Sequence, residues 1–79
     1  MIQETNKIFN ADLLSRSRLR HHVFSRIAYS KIMRNQGKTL EVIADEIGRN
    51  HATIIYYCKQ HDQLYRFDQE YKQKFDQLQ

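Results

Sequence analysis

Apolar residues recur at intervals of three and four along most of the chain, which is the spacing of one face of an α-helix. The longest such run predicts a helix over residues 20–37. Its apolar stripe is formed by Val23, Phe24, Ile27, Ala28 and Ile32. Arg26, Ser30 and Met33 lie off this stripe. Gly37 is the expected C′ residue, because glycine readily adopts the left-handed conformation that ends many helices.

Two further helical segments follow, separated by a turn at Gly48 and Arg49. Residues 39–48 predict a short helix with Thr39 as its N-cap. Its buried face is expected to consist of Leu40, Ile43, Ala44 and Ile47. Asn50 is the expected N-cap of the helix that comes next.

The C-terminal segment, residues 50–79, predicts two helices that share one apolar face. The first is expected to pause near residues 66–68, where Asp68 can cap the second. The shared stripe consists of Leu64, Phe67, Tyr71, Phe75 and Leu78. Cys58 is expected in the core, and of the neighbours Tyr56 and Tyr57 one is expected inside and the other on the surface.

The N-terminal segment, residues 1–19, predicts one or two short helices between residues 2 and 14, followed by an exposed basic loop. Every second residue of this segment is an arginine, in the sequence Ser-Arg-Ser-Arg-Leu-Arg over residues 15–20. The chain has no proline and two glycines, so helix breakers are rare throughout. We therefore predict a single all-α domain, a helical bundle, over residues 1–79.

Positive charge is concentrated in the first half of the chain. The formal net charge is +4, and residues 1–34 hold seven lysines and arginines against two acids. Residues 35–60 balance three against three, and residues 61–79 carry three against four. A basic region of this kind is typical of nucleic-acid-binding modules, and it would also suit an acidic protein surface or an anionic lipid.

The composition also bears on the compartment. A single cysteine, Cys58, excludes an internal disulfide and fits a reducing environment. No apolar run approaches the roughly 18 residues that a membrane span needs, and Met1 is not followed by the apolar region of a signal peptide. We expect a soluble protein of the cytoplasm.

A short helix, a glycine-containing turn and a second helix, in that order over residues 39–56, predict a helix-turn-helix. In that motif the first helix braces against the phosphate backbone, and the start of the second reaches base edges in the major groove. Residues 50–53 offer donors, acceptors and methyl groups at that position. The pattern alone is moderately specific, since helical hairpins with glycine turns are common in proteins that bind no DNA.

Two motifs together resemble domain IV of the bacterial replication initiator DnaA, a domain with a Trp-repressor-like helix-turn-helix. Residues 48–55, Gly-Arg-Asn-His-Ala-Thr-Ile-Ile, are similar to its Gly-Arg-Asp-His-(Ser/Thr)-Thr-Val signature. Residues 18–26 match its Arg-x-Arg-x-x-Val-x-x-Arg pattern without a gap, and residues 9–14 resemble the short segment before it. The resemblance spans nearly the whole chain.

This resemblance implies sequence-specific binding of a DnaA-box-like site in double-stranded DNA, by a protein that is monomeric on its site. It implies that Arg18 enters the minor groove, that Arg26 contacts DNA from the long helix, and that residues 50–53 face the bases. A nucleoid-associated role in replication-origin control or transcription regulation follows. The expected DNA-binding residues are Arg16, Arg18, Arg20, Arg26, Lys38, Thr39, Arg49, Asn50, His51, Ala52 and Thr53.

The sequence departs from the family at positions that bear on recognition. Ile27 stands where the family has glutamine, so one polar contact is expected to be missing. Asn50 replaces the acid of the signature, and Ala52 replaces its first hydroxyl residue. The loops at Gly37 and Gly48 each look one residue shorter. No ATPase part accompanies the domain, which predicts a stand-alone box-binding domain or an excised fragment.

One other class of function stays open, and several are disfavoured by the sequence. The alternative is a helical adaptor that binds an acidic protein partner without DNA contact. An RNA-binding module is disfavoured, because helices do not read the narrow major groove of A-form RNA. No nucleophile–base pair or phosphate-cradling loop can be assembled, so neither enzymatic activity, a cofactor nor a small-molecule substrate is expected. The four histidines have no cysteine or acid at ligand spacing, so no metal is expected.

Overall fold

The computed structural model describes residues 1–79 and contains five α-helices and no β-strand. The all-α prediction is therefore confirmed. None of the helices is both long and apolar enough to cross a lipid bilayer. The helices are α1 (Ile2–Phe9), α2 (Arg20–Asn35), α3 (Leu40–Ile47), α4 (His51–Phe67) and α5 (Gln69–Gln77).

Three helices begin at the polar residues that the sequence indicates. Thr39 Oγ1 accepts a hydrogen bond from the Val42 amide at 3.2 Å and so caps α3. Asn50 Oδ1 caps α4 by accepting from the Thr53 amide at 2.9 Å. Asp68 Oδ1 caps α5 by accepting a hydrogen bond from the Tyr71 amide at 3.0 Å. Each cap satisfies an amide that the helix leaves unpaired and contributes about 1 kcal/mol.

Both glycines follow helices in the left-handed conformation. Gly37 has φ of +92° just after α2, and Gly48 has φ of +68° at the end of α3. The Arg49 amide then donates to the Ala44 carbonyl at 2.9 Å, which closes the last turn of α3. Because of this closure, only three residues, 48–50, separate α3 from α4. The predicted turn at Gly48 and Arg49 is confirmed.

Helix α2 is buried on more of its circumference than its apolar stripe indicates. It packs against α1, α3 and α4, so little of its middle part faces solvent. Arg26, Ser30 and Met33, which lie off the predicted stripe, are all buried. The single-stripe description of this helix was therefore wrong, because a central helix in a five-helix bundle has neighbours on several sides.

The apolar stripe predicted for the C-terminal segment holds except at Phe67. Tyr71 and Phe75 of α5 are buried, whereas Phe67 is 79% exposed. Asp68 adopts an extended conformation with φ of −114° and ψ of 104°, so the helix breaks there. That break resets the angular phase of the side chains, and Phe67 no longer lies over the stripe that continues in α5. Tyr57 is buried and Tyr56 exposed, as one of each was expected.

A buried histidine joins α4 to α5. His61 Nδ1 and the Tyr71 hydroxyl are hydrogen-bonded at 2.8 Å, and the imidazole lies 4.4 Å from the ring of Phe75. Burial lowers the pKa of His61 from its usual value, and the positive charge of Lys31 on α2 adds to the effect. Asp62 on α4 opposes it. The neutral imidazole is therefore the form that the core accepts.

This burial predicts that the fold loses stability in weak acid. The pKa of His61 is lower in the folded than in the unfolded chain, so its contribution is complete above about pH 6.5, the ordinary histidine value. The contribution is lost as the pH falls through the lowered folded pKa, because the unfolded chain takes up the proton first. Urea unfolding between pH 8 and pH 5 should show this decline.

His61→Gln provides the comparison for that measurement. Glutamine can hydrogen-bond to the Tyr71 hydroxyl and does not titrate, so the histidine-dependent part of the decline should disappear in the variant. The account of this core fails if wild type and His61→Gln lose stability in parallel over the whole range.

Candidate nucleic-acid interface

The loop between α1 and α2 presents its arginines to solvent because its serines bind the backbone. Ser15 Oγ accepts a hydrogen bond from the Ser17 amide at 3.0 Å, and Ser17 Oγ accepts from the Leu19 amide at 3.1 Å. These turns fold the serine side chains back onto the chain. Arg16 and Arg18, which alternate with them, are exposed and form no hydrogen bond or ion pair.

A buried guanidinium secures this loop from inside the fold. Arg26 of α2 is only 3% exposed. Its Nη1 donates to the Ser15 carbonyl at 2.5 Å and its Nη2 to the Ser17 carbonyl at 2.6 Å. Hydrogen bonds from a charged donor are the stronger class. Arg26 is placed to hold the loop, and its expected direct contact with DNA stays a prediction.

A second guanidinium reaches the same loop from the turn before α4. Arg49 Nη2 donates to the Ser15 carbonyl at 3.0 Å, across 34 positions of sequence. Its Nη1 lies 3.3 Å from the Gly48 carbonyl and 3.5 Å from the Ile47 carbonyl. The loop and the start of α4 are therefore neighbours in the fold, although they are far apart in the sequence.

These elements form one groove with an uncompensated positive charge, which we call the arginine groove. Four arginines line it and no acidic side chain does. The lining residues are Arg16, Arg18, Val23, Arg26, Gly48, Arg49, Thr53 and Tyr57. All five ion pairs of the structure involve other residues. Four cations without a counter-charge create a local positive potential that favours a polyanion.

The first turn of α4 is exposed beside the arginine groove. Asn50, His51 and Ala52 are exposed and Thr53 is half-buried. Asn50 Oδ1 accepts from both the amide and the hydroxyl of Thr53, at 2.9 and 3.2 Å. The side-chain amide group of Asn50 has no partner within the protein, so it presents two N–H donors to the surroundings.

The exposed face of α4 continues past that turn with residues that were not among the predicted contacts. Ile55 is 40% and Tyr56 57% exposed, so this face of α4 also presents apolar surface to solvent. Lys59, one turn after Ile55, is also exposed. Ile55 lies four residues after His51, Tyr56 four after Ala52, and Lys59 four after Ile55, and this spacing puts them on the same side of the helix as that first turn. That spacing was the available signal in the sequence.

Six of the predicted DNA-binding residues do not line the arginine groove: Asn50, His51 and Ala52 lie beside it in the first turn of α4, and Arg20, Lys38 and Thr39 lie elsewhere. Arg20 forms an ion pair with Asp68, and its guanidinium lies 4.8 Å from the ring centre of Phe24. Lys38 pairs with Glu46 at 3.0 Å. Thr39 caps α3 at the end of the helix opposite to Gly48. The DNA contacts of Arg20, Lys38 and Thr39 stay predictions, and the charges of Arg20 and Lys38 are both already paired within the fold.

The arrangement of the histidines is relevant to metal binding, which needs several ligands close together. No group of three or more His, Cys, Asp or Glu side chains is arranged to hold a metal ion. The ring centres of His21 and His22 lie 4.0 Å apart with the rings tilted by 42°, and His61 is in the core. Burial raises the pKa of the half-buried Cys58 thiol, which disfavours the thiolate that metals and electrophiles require.

Comparison with known proteins gives no relative. No protein-family model, curated protein or solved structure matches the chain. The function is therefore inferred from the residues of the arginine groove, from the exposed face of α4, and from the motifs that both regions contain.

The role of Arg26 in the fold leads to a stability prediction. Arg26→Ala should lower the free energy of unfolding by about 2–4 kcal/mol, because it removes two charge-assisted hydrogen bonds and leaves the Ser17 carbonyl without its guanidinium donor. Arg18→Ala, which removes an exposed and unbonded arginine, should change it by less than about 0.5 kcal/mol. Urea denaturation of the DNA-free proteins measures both. Equal effects of the two substitutions would show that Arg26 does not secure the loop.

Proposed function

We propose that this chain is a sequence-specific DNA-binding domain in which α3, the turn of residues 48–50 and α4 act as a helix-turn-helix on double-stranded DNA. The observation that carries the proposal is the arginine groove next to the exposed first turn of α4. A surface of this kind combines the two requirements of specific binding, cations that neutralise phosphates and polar groups that contact base edges.

Electrostatic contacts with DNA are assigned to the arginines of the groove. Arg16 and Arg18 are exposed and unpaired, so contact with a phosphate or with the adjacent minor groove breaks no existing ion pair. A guanidinium binds phosphate oxygens in a bidentate manner, which also fixes the orientation of the protein on the duplex. Arg49 is half-buried at the edge of the same groove and adds a third positive charge.

Base contacts are assigned to the exposed face of α4. Asn50 offers its amide N–H groups, because its oxygen is occupied by the N-cap interaction. Purine N7 and the O6 and O4 oxygens of guanine and thymine are the acceptors of the major groove. The exposed His51 is assigned to a base or a phosphate, and Ala52, Ile55 and Tyr56 to apolar contact of the kind made with a thymine methyl group.

The resemblance to DnaA domain IV makes the proposal more specific. It suggests a DnaA-box-like site, with α4 in the major groove and Arg18 in the adjacent minor groove. An arginine in a narrow minor groove senses its width and negative potential, which are typical of A·T-rich sequences. The proposed roles are replication-origin control or transcription regulation, by a monomer on its site and without catalytic activity.

Salt dependence separates DNA binding from an apolar protein interface. If about three to four phosphates are neutralised by Arg16, Arg18, Arg49 and Lys59, the slope of log K against log salt concentration is expected to be about −3 to −4. Arg16→Ala should make this slope less steep by about 0.9, the value for one phosphate. Fluorescence anisotropy with a labelled duplex at several salt concentrations is the measurement.

Lys74→Gln is the matched control, because Lys74 is already paired with Glu70 and is not among the predicted DNA-binding residues. It removes the same charge from the chain and should leave the slope unchanged. A flat salt response of the wild-type protein would contradict the proposal and favour an apolar protein interface.

Asn50→Asp tests the assignment of bases to α4. Aspartate caps a helix about as well as asparagine, so the fold should be kept while the free donor is replaced by an acceptor. The preference at one base pair should move toward cytosine, whose amino group is a donor, and discrimination there should change by about 1–3 kcal/mol. Competition among duplexes that differ at single positions, at fixed salt, gives the ranking for each protein.

Asn50→Ser is the control for this substitution. Serine also caps the helix but is too short to replace the amide, so the preference at that base pair should weaken without changing to another base. An identical ranking of all duplexes by the wild-type and Asn50→Asp proteins would limit Asn50 to its capping role.

A further inference from the structure

The Ser15 carbonyl accepts hydrogen bonds from two guanidinium groups that belong to different parts of the fold. Arg26 donates to it from α2 at 2.5 Å, and Arg49 donates to it at 3.0 Å from the turn that leads into α4. A carbonyl oxygen has two lone pairs and accommodates both donors. Ser15 is thus the point at which the arginine loop, α2 and the start of α4 are joined.

The two guanidinium groups differ in what they fix. Arg26 is buried and also holds the Ser17 carbonyl at 2.6 Å, so it attaches the loop to α2. Arg49 forms the one side-chain hydrogen bond between residues 15–19 and the turn of residues 48–50. Without Arg49 the loop would stay on α2, but its position relative to the first turn of α4 would no longer be set by a direct bond.

We propose that Arg49 is a positioning residue that aligns the arginine loop with the first turn of α4, so that phosphate contacts and base contacts form together. The proposal rests on the DNA-binding function proposed above. Its physical basis is preorganisation, because a loop that is ordered before binding does not have to be ordered at the expense of affinity. A phosphate contact made by Arg49 through its charge alone would have no such effect on Arg18.

The first test uses the free protein. The Ser17 and Leu19 amides are hydrogen-bonded only within the loop, so their solvent exchange, measured by NMR, reports the order of the loop. Arg49→Ala should accelerate both exchange rates by about three- to tenfold, the range expected when a hydrogen bond from a charged, partly exposed group is lost. Arg16→Ala, which removes an exposed arginine without such a bond, should leave both rates unchanged.

The second test is a double-mutant cycle on DNA affinity at fixed salt concentration. If Arg49 positions the loop, Arg18→Ala should reduce affinity several-fold less in the Arg49→Ala background than in the wild-type protein, because Arg18 is already misplaced there. The equivalent cycle of Arg18→Ala with Asn50→Ser should show independent effects, since Asn50 does not contact the loop.

Arg49→Gln is the conservative variant for the exchange measurement. It keeps a side-chain amide donor without the charge, so the Ser17 and Leu19 amides should exchange more slowly in Arg49→Gln than in Arg49→Ala.

The outcomes separate this proposal from the function on which it rests. Unchanged exchange of Ser17 and Leu19 in Arg49→Ala, or multiplicative effects of Arg49→Ala and Arg18→Ala on affinity, overturns the positioning role even if the wild-type protein binds DNA. Accelerated exchange in Arg49→Ala, together with no DNA binding by the wild-type protein, supports the ordering of the loop by Arg49 and refutes the DNA-binding function. Circular dichroism of each variant establishes that the helices are retained.

Discussion

A buried guanidinium must find acceptors inside the protein, and this requirement organises the half of the molecule that carries the arginine groove. Removing an unpaired charge from water is costly, and α2 offers Arg26 no acidic partner. Its Nη atoms bind instead to the carbonyls of Ser15 and Ser17. The loop is thereby held against α2 through its backbone, which leaves its arginine side chains free to face solvent.

The consequence of this arrangement extends to α4. The serine hydroxyls close the loop locally, Arg26 attaches it to α2, and Arg49 attaches it to the turn before α4. The free cations therefore lie beside the first turn of α4. Arg20 and Lys38, by contrast, are paired with Asp68 and Glu46. None of the four arginines that line the arginine groove forms an ion pair.

Local sequence features predicted the helices well, because their signals act over a few residues. The caps at Thr39, Asn50 and Asp68 and the left-handed Gly48 follow from side-chain chemistry at single positions. The environment of a side chain depends on neighbours that are distant in sequence, and there the predictions failed. Met33 is buried off the stripe of α2, because a central helix is enclosed on several sides.

The candidate site was predictable in part for the same reason. Residues 50–53 and the arginines of the loop stand out by type and motif, and the structure exposes most of them. The ion pair of Arg20 joins residues 48 positions apart, and no pattern in the sequence indicates it. Tyr56 was assigned only to one of two alternatives, because helical spacing alone did not decide which tyrosine faces the core.

The central claim is that the exposed face of α4 and the arginine groove together read duplex DNA. Selection of bound molecules from a pool of random double-stranded DNA tests it most directly, with an Arg16→Ala/Arg18→Ala double variant as the control. The account predicts that the wild-type protein enriches an A·T-rich site with a defined core of base pairs, and that the double variant enriches it much less. If the molecules bound by the folded wild-type protein share no more sequence than the starting pool, the proposal is contradicted.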